Sequence, residues 1–161
     1  MKICGIVGWK NSGKTFFAQK LISFFKHQKL NVASIKHAHH NFDIDKEGTD
    51  SFLHRMSGSQ QVIISSSKRW AKISELNNVN EKTLTELISE LDNPDIVVVE
   101  GFKKENHPKI ELIKNQDEST YLFPHINNVL ALVTDLEIKS SIKKFKIDEI
   151  KNLTEYILNK I

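Results

Sequence analysis

Near the start of the chain, Gly8-Trp9-Lys10-Asn11-Ser12-Gly13-Lys14-Thr15 satisfies the pattern G-x-x-x-x-G-K-[ST]. Glycines at 8 and 13 permit backbone conformations and a close approach that a side chain would block. The amide N–H groups between them can then turn inward onto phosphate oxygens, assisted by the positive end of a following helix. Lys14 would reach the outer phosphates of a di- or triphosphate, and the Thr15 hydroxyl could ligate Mg²⁺. Gly8, Lys10, Asn11, Ser12, Gly13, Lys14 and Thr15 are therefore the candidate nucleotide-binding residues. The chemistry needs a strand before the loop and a helix after it. Residues 2–7 (KICGIV) are an apolar run of strand length, and from Lys14 the residues Phe17, Leu21 and Phe24 recur at helical spacing to about His27.

A phosphate loop also needs an acid on a neighbouring strand, to hold the Mg²⁺ shell or to orient water. Asp95-Ile-Val-Val-Val-Glu100-Gly101 offers two. Ligands of open α/β sheets bind at the carboxyl ends of strands, which selects Glu100, at the end of the run, over Asp95 at its start. Thr15 and Glu100 are thus the candidate metal ligands, and Gly101 would let the backbone turn beside the terminal phosphate.

A third group follows a second strand at 31–36. Lys36-His37-Ala38-His39-His40 precedes Asp43, Asp45, Asp50, Ser51 and Arg55 within a polar stretch. Three imidazoles near carboxylates resemble a metal-ligand set, but no second cluster closes a zinc site. Surface, phosphate or partner contacts, and metal binding all remain open readings. In position the loop corresponds to a switch segment, and Arg55 could offer a bidentate contact to phosphate or form a surface ion pair.

The elements that must position these groups read as alternating strands and helices. A short helix is expected over about 50–57, stopped by Gly58. Two apolar runs, Gln61 to Ser65 and Trp70 to Ile73, suggest a hairpin around Ser67-Lys68. Asn80 is a plausible N-cap for a helix carrying Leu84, Leu87, Ile88 and Leu91 on one side. Ile96 to Val99 and Leu130 to Val133 read as buried strands, whereas the alternating Lys109 to Ile113 reads as a half-exposed one. Ile150, Leu153, Ile157 and Ile161 mark a closing amphipathic helix. The expected fold is α/β, a three-layer P-loop NTPase with a mostly parallel sheet. A single domain over 1–161 is expected, with strand insertions at about 68–75 and 103–123.

Composition is that of an ordinary globular chain: 161 residues, 39% hydrophobic and 27% charged, with a formal net charge of +3. The basic residues form no block, and no aromatic-basic stripe points to nucleic acid. Cys4 stands alone, so no internal disulfide or cysteine zinc site can form, and its apolar setting suggests a buried, inert thiol. No signal peptide or stretch of membrane length is evident, so the expected compartment is the cytoplasm and no membrane partner is expected.

Together the phosphate loop, Lys36-His37-Ala38-His39-His40, the series Asp45, Gly48, Asp50-Ser51, Arg55, then Val99-Glu100-Gly101-Phe102-Lys103, Pro108-Lys109-Ile110-Glu111 and Ala131 to Asp135 (ALVTD) form a specific combination. In these the sequence resembles the MobB family of molybdopterin-guanine dinucleotide biosynthesis adaptors, from its start to about residue 135. The resemblance implies a GTP-binding protein with weak GTPase activity at most, assisting the guanylyltransferase MobA, and GTP and Mg²⁺ are the expected cofactors. It also implies a homodimer whose extra strands extend the sheet between subunits, with segments 68–75 and 103–123 as candidates. Molybdopterin is a further candidate ligand. On this reading Glu100 and Asp50 are the catalytic candidates, and His37, His39, His40, Asp45, Ser51 and Arg55 form the switch or partner loop. One departure from GTPases at large is the lack of an N-K-x-D guanine motif; Asp135, ending a predicted strand, could serve the base or simply the turn. A small P-loop phosphotransferase or ATP-dependent ligase, or a metallochaperone GTPase using the histidines, would draw on the same residues.

Overall fold

The computed structural model describes residues 1–38, 42–77 and 80–161, which divide into two compact units. The larger comprises Met1–His37 and Leu84–Ile161; the smaller is Ala38–Thr83.

In the larger unit six strands form one all-parallel sheet. They are β1 (Lys2–Val7), β2 (Val32–Lys36), β5 (Ile96–Glu100), β6 (Lys109–Leu112), β7 (Val129–Val133) and β8 (Lys143–Phe145), in the order β2-β5-β1-β6-β7-β8. Alternate residues face opposite sides of a strand, and both sides are covered. Cys4, Ile6, Val98, Ile110 and Val133 pack with Phe17, Leu21 and Phe25 of α1 (Lys14–His27) and Leu153 and Ile157 of α4 (Ile150–Lys160). On the other face Val97, Val99 and Ile35 meet Leu84, Leu87 and Ile88 of α3 (Leu84–Ser89). This is a three-layer α/β arrangement with a mostly parallel sheet, as the alternation of elements predicts. The Cys4 thiol is buried in it, and burial pushes its pKa up to about 12, so it stays protonated and unreactive.

The half-exposed strand expected at 109–113 is a correction. β6 lies inside the sheet between β1 and β7, buried at all four positions, and not in a peripheral insertion. Alternating charge signals an exposed face only when the charges reach water, and here they are satisfied by backbone. The Lys109 ammonium donates to the carbonyls of Glu105 (2.5 Å), His107 (2.8 Å) and Asn127 (3.1 Å). The Glu111 carboxylate accepts the N–H groups of Leu122 and Phe123, both at 2.7 Å. Burial pushes the lysine down and the carboxyl up from their ordinary pKa values, with the two amides partly offsetting the latter. Each charge thereby anchors a neighbouring loop.

Two further elements differ. The helix expected from Asn80 begins at Leu84, so Asn80 caps nothing, although Leu84, Leu87, Ile88 and Leu91 do reach the core. Strand β8 is only three residues long, two of them exposed lysines, too short for its periodicity to register.

In the smaller unit α2 (Asp50–Met56) ends at Gly58, whose φ of 101° suits glycine. Its N–H bonds the Arg55 carbonyl and that of Ser59 bonds His54, the paired closure that terminates many helices. β3 (Gln61–Ser65) and β4 (Trp70–Ser74) form an antiparallel hairpin with its turn at 66–69, as expected. Among the described residues no helix is long and apolar enough to cross a membrane.

Candidate functional site

Strand register brings the predicted groups together. β1 carries the chain into the loop at Gly8, and Ile6, two residues earlier, lies beside Glu100 of β5. Lys36 at the end of β2 lies on Glu100's other side. The loop then takes three left-handed residues, Gly8 (φ 146°), Asn11 (φ 65°) and Gly13 (φ 92°), before entering α1. A side chain at Gly8 would put its Cβ 2.7 Å from both the Leu112 carbonyl oxygen and Ser12 Oγ, so only glycine fits there.

The Thr15 hydroxyl donates to Glu100 Oε1 at 3.0 Å, and the Lys36 ammonium lies 3.5 Å from the same oxygen. Lys14 Nζ donates to the Trp9 carbonyl at 2.7 Å, which folds the lysine back over the loop. Partial burial pushes the Lys14 ammonium below its ordinary pKa; Glu100 opposes this, and Lys103 and Lys36 add to it. Three ammonium groups against one carboxylate make a local excess of positive charge suited to a polyanion. Lys103 also sits 5.0 Å from the centre of the Trp9 ring, whose indole N–H is donated to the Thr120 carbonyl. Gly101 (φ 99°) passes so close to His37 that a Cβ on it would lie 2.8 Å from the His37 Cβ. His37 in turn packs on Phe102 with ring centres 4.6 Å apart, and its N–H bonds the Glu100 carbonyl.

Lys10 and Asn11 are exposed on the outer bend of the loop, while Ser12 is buried beneath it. Asp135 follows β7 and is exposed, with one carboxylate oxygen accepting the Ile147 N–H at 3.3 Å. Asp45, Asp50, Ser51 and Arg55 belong to the smaller unit. Arg55, for which the sequence leaves both a phosphate contact and an ion pair open, is held by Asp45 through two contacts (2.9 and 3.3 Å), by Asp43 at 2.9 Å and by Glu75 at 3.3 Å. The Asp45 side chain is 2% exposed and that of Arg55 16%, so the D…R spacing serves a partly buried ion pair within the smaller unit. Asp50 is exposed in the first turn of α2, and the Ser51 hydroxyl lies 3.3 Å from that of Thr49. His39 and His40 lie outside the described residues. Sequence reasoning missed Lys36 and Lys103 as neighbours of the site; their only signal was proximity to motifs on separate strands.

A strand, a glycine-bounded loop and a helix, with an acid on the adjacent parallel strand, define the class of P-loop nucleotide-binding folds. Residues 3–135 match the family model for molybdopterin guanine dinucleotide synthesis protein B. The chain is 37% identical over 160 residues to the molybdopterin-guanine dinucleotide biosynthesis adapter protein of Haemophilus influenzae, covering 98% of this chain and 88% of the relative. It is 30% identical over 162 residues to the Escherichia coli adapter protein, with coverage of 97% and 91%. The crystal structure of Bacillus subtilis MobB superposes with a TM-score of 0.80 at 22% identity, over 100% of this chain and 98% of that one. That of a molybdopterin-guanine biosynthesis protein B gives 0.77 at 27%, over 99% of each. The chain belongs to the MobB family, adapters of molybdopterin-guanine dinucleotide biosynthesis.

Proposed function

We propose that this protein is a GTP-responsive adapter that assists a MobA-type guanylyltransferase, binding GTP and Mg²⁺ through Gly8 to Thr15 and Glu100. The 3.0 Å approach of Thr15 Oγ1 to Glu100 Oε1 carries the reading, because it sets two hard oxygen ligands side by side next to Lys14. Mg²⁺ fits that donor pair, and once bound it would neutralise phosphate charge. The chain's own groups do the rest. Loop amides and Lys14 bind the phosphates, Glu100 also draws in Lys36, and His37 with Phe102 shapes the wall beside Gly101. Glu100, beside Thr15, is the catalytic candidate that can orient water in the phosphate site, and Asp50, in the first turn of α2, is the second candidate. Glu100→Gln keeps the size but weakens the metal donor, so GTP affinity should lose most of its dependence on Mg²⁺. Titration with and without the metal checks this, and unchanged dependence counts against Glu100. Co-purification with a MobA-type enzyme, with and without GTP, tests the adapter role; no association under either condition rejects it.

We also propose a homodimer built through the smaller unit. A two-stranded hairpin is marginal alone, and this one leaves Trp70 69% and Ile63 66% exposed, with Ile64, Leu53 and Met56 also exposed. Ile63→Lys or Trp70→Glu should yield a monomer by light scattering at concentrations where the parent is dimeric. A dimer unaffected by both substitutions would move the interface elsewhere.

A further inference from the structure

The phosphate loop has a second flank that nucleotide binding leaves unused. Glu111 of β6 lies beside Val7, the last residue before the loop. Its neighbours Ile110 and Leu112 pack on the sheet face that carries α1, so Glu111 points to the opposite face. There Trp9, Lys10, Ser12, Glu111, Lys114 and Tyr121 line a cavity of about 180 Å³. An apolar cavity of about 150 Å³ takes up benzene, so this one has room for a six-membered ring.

Its aromatic walls are held in place. The Trp9 indole N–H is donated to the Thr120 carbonyl, and Tyr121 stacks on Phe123 with ring centres 5.7 Å apart. Two polar groups of the lining retain bonding capacity. Ser12 is 6% exposed, and its hydroxyl has no hydrogen-bond partner among the described residues. Each Glu111 oxygen accepts one N–H, from Leu122 or Phe123, which leaves about half of a carboxylate's roughly four acceptor sites. Burial disfavours the Glu111 charge and the two amides offset this only in part, so further donors would stabilise it. Lys10 and Lys114 are exposed and add two ammonium groups, with Lys114 Nζ 3.3 Å from where a Cβ on Gly13 would lie. A matching ligand is flat, to lie against indole and phenol, offers donors to a carboxylate, and carries a negative group for the lysines.

We propose that this cavity is a second ligand site, separate from the phosphate cradle, for a flat heterocycle with a ring N–H and an amino group on one edge and an anionic substituent on the other. Guanine and pterin rings share that edge, and titrating the whole protein in excess GTP and Mg²⁺ distinguishes them. 6-Carboxypterin should bind under these conditions. It should bind at least about tenfold more tightly than 6-carboxylumazine, whose carbonyl in place of the amino group would face the carboxylate. Lys114→Ala should weaken 6-carboxypterin several-fold and leave unsubstituted pterin unchanged. Tyr121→Leu, which keeps the wall apolar but removes a stacking face, should weaken both and leave GTP affinity unchanged. If GMP bound instead, with the same dependence on Lys114 and Tyr121, the ring would be guanine and the site would stand. Binding of neither ring, equal affinity for the lumazine, affinities unmoved by both substitutions, or displacement of 6-carboxypterin by GTP would each overturn it. A parent that failed to bind GTP but held 6-carboxypterin would reject the phosphate-loop reading and leave this site intact.

Discussion

Lys14→Ala is expected to weaken GTP binding by at least about a hundredfold, or about 2.7 kcal/mol, and to leave the protein folded. The Lys14 ammonium would bring a full charge to the outer phosphates, whereas the amides supply only partial charge. In the structure it donates to the Trp9 carbonyl, a neutral partner that a phosphate would readily replace. Stability should not suffer. Burial, Lys103 and Lys36 together disfavour the charge at this position, with only Glu100 opposing them, so its removal relieves repulsion. A melting temperature equal to or above the parent's, together with lost calorimetric heat on adding GTP, is the expected pair of results. Undiminished affinity would remove the premise of a phosphate cradle.

Gly5→Ala should destabilise the larger unit by about 3 kcal/mol, as overpacking of a tight core does. A Cβ there would fall 2.4 Å from His107 Nε2, 2.7 Å from its Cδ2 and 3.0 Å from Lys109 Cγ. The ring cannot step aside cheaply, since His107 is only 4% exposed. Gly5→Ala combined with His107→Ala should cost less than the sum of the single changes, because they share one contact. Chemical denaturation of the four proteins measures the coupling, and strict additivity would show that the clash is relieved by backbone movement.

The same histidine gives a pH signature. Burial, and secondarily Lys109, lowers its pKa from 6.5 to about 4. The folded state therefore favours the neutral ring, and neither ring nitrogen has a partner among the described residues. Above pH 6.5 the ring is neutral whether the chain is folded or unfolded, and it contributes no pH dependence. Between about 6.5 and 4 the unfolded chain takes up a proton that the folded one resists, so stability falls with pH, by at most about 3 kcal/mol. His107→Leu should flatten that slope.

Residues close in the chain and governed by local geometry were legible in advance. The phosphate loop, the following helix to His27 and the β3–β4 hairpin depend on glycine conformations and side-chain periodicity, which act over a few residues. Glu100 was selected over Asp95 by a topological rule, and the register with Ile6 puts it beside the loop. The Lys109–Glu111 strand was misread for a physical reason. Alternating charge carries the same signal whether the partner is water or a carbonyl brought in from Asn127. For Arg55 the sequence left phosphate contact and ion pair undivided, because one of its three carboxylate partners, Glu75, lies twenty residues away.

By itself the sequence determined the phosphate cradle, its acid and the family to which the chain belongs, because these rest on short motifs whose chemistry tolerates few substitutes. Tertiary structure alone decided that β6 is central, between β1 and β7, and that Lys36 and Lys103 join Lys14 and Glu100 in one charged cluster. Such placements depend on strand order, which brings together residues more than a hundred positions apart and leaves no periodic trace in either segment.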